Sequence, residues 1–216
     1  MRGNLEYLSD IKGDCADDID LNSISNDTEK QFLCWTKVLE DTISHLQQTI
    51  RYYKIFLSKF ALMSKYNCFF TNFLVNLCVA ITMDIGKLCS DENDLSLNKY
   101  NKFCRDNANV IFKQSFNSNF ENNRTLISEL MKKYKELIMT PRNSIYGHND
   151  KLQLEYHSVE QIVSRVSVSD LQKFVNLSKP VLFDTWMLYN SHSLCFEYKN
   201  SNDYEKIIEI LEKGYN

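Results

Sequence analysis

Residues 28–63 read TEKQFLCWTKVLEDTISHLQQTIRYYKIFLSKFALM, and this stretch decides the fold class. Its apolar side chains fall at Phe32, Trp35, Leu39, Ile43, Leu46, Ile50, Tyr53, Leu57 and Phe60. Every step is three or four residues, so they form one stripe along an α-helix, a period no strand can use. Asn26 or Asp27 is placed to cap its start. A helix of this length with one apolar face needs a bundle or a second copy to cover it.

The rest of the chain repeats the message. Residues 67–89 form a second helix that is apolar on nearly all sides, which predicts a central position. The uncharged stretch Tyr66–Met83 approaches the length of a membrane span, but Asn67, Thr71, Asn72, Asn76 and Thr82 interrupt it. A core helix is the expected reading. Ser96 is placed to cap a short helix from Leu97 to about Cys104, and another is expected over Ala108–Phe116. A third long helix is expected from Phe120 to Met139, with a stripe of Phe120, Ile127, Leu130, Tyr134, Leu137 and Ile138. Its other face carries Arg124, Lys132, Lys133 and Lys135. Ser158 with Gln161 resembles a capping box. Ser169 or Asp170 opens a helix through Trp186 and Tyr189 that Pro180 should kink or restart, and Asp203–Lys213 forms a last short helix. The expected fold is all-α. Residues 1–27, rich in Asp, Asn and Ser, read as a loose or weakly docked segment, and residues 28–216 as a single helical domain.

Composition narrows the function classes. Only five Gly and two Pro occur in 216 residues, which favours long helices over many tight turns. The net charge of −3 gives no global attraction to nucleic acid, so any such binding needs a local basic patch. Seven cysteines, an odd number without a CxxC pair, read as reduced thiols, and the expected compartment is cytoplasmic. No leader is expected from the polar, acidic first twenty residues. No His/Cys spacing suits a metal, and His45 reads as a surface or satisfied histidine. Glycine-rich phosphate loops, GxSxG and HExxH are all absent.

The densest chemistry lies in Thr140–Lys151, TPRNSIYGHNDK. Thr140 and Pro141 suit the cap and first position of a helix, which puts Arg142 and Asn143 in its first turn. Free backbone N–H groups there favour an anion. Gly147 is a natural stop, leaving His148 at the helix end. In a continuous helix Arg142 and His148 would lie roughly 120° apart and about 9 Å apart along the axis. They would bracket a phosphate-sized group or meet their copies across a twofold axis. A plain structural reading stays open, with Arg142 and Asp150 forming an ion pair that supports the turn.

RNSIYGHNDK resembles the RNx(4)H form of the HEPN signature, and more closely the AbiU-type abortive-infection branch, where the motif reads much like RNKxYAHxDK. Arg142, Asn143, Tyr146, His148, Asp150 and Lys151 match. The earlier segment ITMDIGKLCSDENDLSLNKY is also similar to that branch. The resemblance runs over roughly Phe32–Tyr189. It departs at Gly147, where alanine is more usual, and at Asn149, where a basic residue is often seen. Asp150 stands where the related AMP-modified signature has tyrosine.

The resemblance implies a HEPN-like bundle of long antiparallel helices with shorter C-terminal ones. It implies a homodimer whose two motifs meet, and a metal-independent endoribonuclease of the toxin or phage-defence type, with an antitoxin protein as a possible partner. No cofactor and no membrane are expected. Arg142, His148 and Asn143 would be catalytic, and Lys132, Lys135, Tyr146, Asp150 and Lys151 would bind the substrate RNA. A non-catalytic module of the same fold, binding nucleotide, RNA or protein, is the alternative.

Overall fold

The computed structural model describes residues 21–59, 68–90, 95–112, 117–134, 167–190, 194, 196 and 203–213. After a 3-10 turn at Leu21–Ser23 come α1 (Asp27–Ser58), α2 (Cys68–Cys89), α3 (Leu97–Asp106), α4 (Ala108–Ile111), α5 (Asn117–Tyr134), α6 (Val168–Asn190) and α7 (Asp203–Lys213). No strand occurs among the described residues, and the protein is all-α. Leu21 and Ile24 pack partly buried against the core, so this end of the N-terminal segment is docked.

Helix α1 is the axis. Asn26 caps it, its Oδ1 accepting from the backbone N–H groups of Thr28 at 2.9 Å and Glu29 at 3.2 Å. Phe32, Leu39, Ile43, Leu46, Ile50 and Tyr53 are all buried, as the stripe predicts. At its far end the stripe differs from the reading. Phe56 is buried and Leu57 is exposed, because Phe56 packs at a tilt against Phe73 of α2 with ring centroids 4.8 Å apart. The helix ends at Ser58, where the Lys59 N–H turns back to the Phe56 carbonyl at 3.2 Å and tightens the last turn.

The partners of α1 fix the directions of the bundle. His45 meets Asp84 and Phe56 meets Phe73, so α2 runs antiparallel to α1. Glu29 and Phe32 meet Tyr189, while Thr36 and Thr185 share the Tyr100 hydroxyl, so α6 is antiparallel as well. Arg51 pairs with Glu205 and Lys59 with Glu212, both at 2.6 Å, so α7 lies parallel along the outside. These two pairs are exposed and contribute little energy each. The window Asn72–Cys89 is long and apolar enough to cross a membrane by length and composition, yet half of it is buried against the protein. Its one acid, Asp84, is buried and paired with α1, as suits a packed core helix.

Helices α3, α5 and α6 close the other side. The ring of Phe32, fully buried, lies 6.1 Å from Tyr100, 5.5 Å from Phe112 and 5.2 Å from Tyr189, which joins α1 to three other parts of the chain. Tyr100 is also fully buried, and its hydroxyl lies 2.9 Å from Thr36 Oγ1 and 2.8 Å from Thr185 Oγ1. Both threonines also reach backbone carbonyls of their own helices. One phenol proton cannot serve both contacts, so one threonine donates to the Tyr100 oxygen instead of its carbonyl. Burial pushes the Tyr100 phenol well above its usual range and keeps it neutral.

Two boundaries differ from the sequence reading. Helix α5 starts at Asn117, not Phe120. Helix α6 is opened by Ser167, not Ser169 or Asp170. Ser167 Oγ accepts from the Asp170 N–H at 3.1 Å, which is an N-cap bond, and its hydroxyl donates to the Asp170 carboxylate at 2.8 Å. Pro180 does not restart α6. Its missing N–H would have bonded the carbonyl of Asn176, which is an exposed residue, so the lost bond falls on the solvent side of the helix. The capping box expected at Ser158 and Gln161 lies outside the described residues.

Among the described residues Cys34, Cys78, Cys89 and Cys104 are free, and the last three act as small core hydrophobes. Burial pushes the Cys78 thiol up to about 12, with the Tyr53 hydroxyl partly opposing the shift. It pushes Cys104 up as well. A raised thiol pKa means a neutral, unreactive sulfur at every pH below it. In native protein at pH 8, Cys78 and Cys104 are therefore expected to resist a thiol reagent, while half-buried Cys34 reacts. Peptide mapping after brief labelling checks this, and rapid labelling of Cys104 in folded protein would contradict the packing.

Candidate functional site

Helix α3 divides cleanly. Ser96 caps it, its side chain accepting from the Lys99 N–H at 3.3 Å. Leu97, Tyr100 and Cys104 point into the core. Asn98, Asn101, Lys102 and Arg105, spaced three, four and seven apart, form a polar stripe on a neighbouring face. Helix α5 packs beside it, burying Phe120, Asn123, Ile127 and Leu130 and leaving Arg124 and Lys132 exposed.

Where the polar stripe faces Arg124, a cavity of about 260 Å³ opens, lined by Asn98, Asn101, Lys102, Arg105 and Arg124. Asn101 forms its floor. Its Nδ2 donates to the Phe120 carbonyl at 3.0 Å and so ties α3 to α5, while its buried Oδ1 has no hydrogen-bond partner among the described residues. Arg105 donates to Asp106 from Nε at 3.0 Å and Nη2 at 2.9 Å, and Arg124 lies 3.6 Å from Glu121. Lys102 makes no ion pair among the described residues.

A second polar cluster joins α1 to α2. His45, half-exposed, places Nδ1 2.5 Å from Oδ2 of Asp84, which is only 5% exposed, and Lys87 reaches the other carboxylate oxygen at 3.1 Å. The carboxylate is thus held by two partners and orients the imidazole. This bears out the reading of His45 as a satisfied histidine and supplies its partner. No group of residues suited to hold a metal ion occurs among the described residues.

Of the residues singled out in the sequence, Lys132 is described, exposed near the end of α5. Arg142, Asn143, Tyr146, His148, Asp150, Lys151 and Lys135 lie outside the described residues. Comparison with family models, curated proteins and solved structures finds no match. The site is therefore argued from its residues alone. Lys102 and Arg105 were legible as a helical stripe in KYNKFCRD, but the partner cation, Arg124, comes from a helix whose docking the sequence does not state.

Proposed function

We propose that this protein is a metal-independent endoribonuclease, acting as a homodimer through Arg142 and His148. The supporting observation is that α5 presents Arg124 and Lys132 to solvent on the helix that leads, within eight residues of Tyr134, to Arg142. These two cations share the helix with exposed Glu121 and Glu129, and the helix leads to Thr140–Lys151, where an arginine, an amide, a histidine and an acid gather in one punctuated segment.

The chemistry suits those residue types. Arg142 keeps its charge and offers a planar fork to a phosphate. His148 titrates near neutrality and can take the proton of a ribose 2′-OH or protonate the 5′-oxygen leaving group. Asn143 holds the phosphate or orients His148. Two copies across a twofold axis would supply one base and one acid. The product would carry a 2′,3′-cyclic phosphate. The same residues suit a binding module without catalysis, and cleavage by pure protein separates the two readings. Toxin or defence biology, with an antitoxin partner and a cytoplasmic location, is the setting this reading implies.

The test uses an RNA with a single 2′-deoxy substitution at a mapped cut. Cleavage there is expected to stop while neighbouring cuts persist, because the nucleophile is gone. Continued cutting at the substituted position would refute 2′-OH attack. His45→Ala serves as the control. It removes the Asp84 contact and is expected to lower stability by about 1–2 kcal/mol in chemical denaturation while leaving the cleavage rate within a few-fold.

A further inference from the structure

The cavity between α3 and α5 has a lining that the ribonuclease chemistry does not use. It holds three cations and two amides and no carboxylate. Lys102 has no ion-pair partner among the described residues. The acids that meet Arg105 and Arg124 sit on the same helix as each arginine, outside the lining, and are exposed. Such pairs are weak in water and exchange readily. Each guanidinium carries five N–H donors, so both keep donors to spare. Two planar forks and one ammonium converging on about 260 Å³ match a doubly charged tetrahedral anion better than a single carboxylate. The space holds a phosphate group together with the small organic part of its ester, and lies below the roughly 300–1,000 Å³ of sites that enclose a drug-sized molecule.

We propose that the pocket formed by Asn98, Asn101, Lys102, Arg105 and Arg124 binds the phosphate group of a phosphate ester. The lining shares no residue with Arg142–His148, and the proposal stands whether or not that segment cleaves RNA. The ester is either a free small molecule or one phosphate of a nucleic-acid strand. The Asn101–Phe120 bond ties together the two helices that carry the cations, so the backbone of the site is set before the ligand arrives.

The full chain carrying His148→Ala, which keeps RNA intact, is titrated by calorimetry at low salt. The probes are inorganic phosphate, ribose 5-phosphate and a short oligoribonucleotide. Saturable binding of at least one probe is expected. Arg105→Gln and Arg124→Gln should each weaken it about tenfold, from the loss of one charge-assisted contact. Both side chains reach solvent, and circular dichroism confirms that the variants fold. Lys173→Gln, an exposed cation on α6, should change nothing. Binding of ribose 5-phosphate identifies a free ester, and binding of the oligonucleotide alone identifies a strand phosphate. Either supports the site. No saturable binding of any probe overturns it, as does undiminished binding by folded Arg105→Gln and Arg124→Gln, or an equal loss in Lys173→Gln. Cleavage that survives His148→Ala would sink the ribonuclease reading and leave the binding result standing.

Discussion

Replacing His148 with alanine is expected to reduce RNA cleavage by about 10²- to 10⁴-fold, the usual contribution of a positioned acid or base. Circular dichroism of the variant is expected to match wild type, which separates lost chemistry from lost fold. Arg142→Lys should also be damaging. Lysine keeps the charge but offers a point instead of a two-pronged donor set, so the phosphate is held less rigidly. Arg142→Ala should cost at least as much. The rate of the wild-type protein should pass through an optimum in the histidine range, reference pKa about 6.5, because one copy must lose a proton and the other carry one. A His148→Ala protein that cuts RNA as fast as wild type would end this assignment. If instead the substitution lowers only the melting temperature, His148 is a structural helix end and the HEPN resemblance is one of fold.

The largest stability effect is expected at Phe32. Its ring is fully buried and touches aromatic rings from α3, α6 and the end of α4, so truncation leaves a cavity that several elements must fill together. Phe32→Ala should lower unfolding free energy by about 3–5 kcal/mol in urea titrations. A domain of ordinary stability, about 5–15 kcal/mol, could lose half of it. Phe32→Leu, which deletes fewer atoms, should lose roughly half as much and keeps the comparison measurable if the alanine variant is too unstable. A loss below about 1 kcal/mol for Phe32→Ala would mean that the aromatic cluster is not packed as described.

The helices were legible because their signals are local. Three-and-four spacing from Phe32 to Tyr53, the Asn26 and Ser96 caps, and the span of α7 all depend on neighbours within one or two turns. The errors came where two local signals competed. Ser167, Ser169 and Asp170 all suit a cap, and the choice fell to Ser167, whose Oγ meets both the N–H and the carboxylate of Asp170 three residues on. Phe56 and Leu57 share the edge of the α1 stripe, and the partner ring of Phe73 on α2 decided between them. Contacts across the bundle were not legible at all. Nothing near His45 announces Asp84, thirty-nine residues away, and nothing in α3 announces Arg124. The Arg142–His148 segment was legible as a motif of chemistry-bearing residues, and its geometry lies outside the described residues, so its assignment rests on residue type, spacing and the cations on the helix before it.

The central claim is cleavage by the ribose 2′-OH without metal. The most direct measurement is to incubate pure protein with a structured RNA in excess chelator and to determine the chemistry of the new ends. The account predicts cleavage in chelator, with a 2′,3′-cyclic phosphate on one fragment and a 5′-hydroxyl on the other. Cleavage that needs added divalent metal, or that leaves a 3′-hydroxyl and a 5′-phosphate, would contradict it.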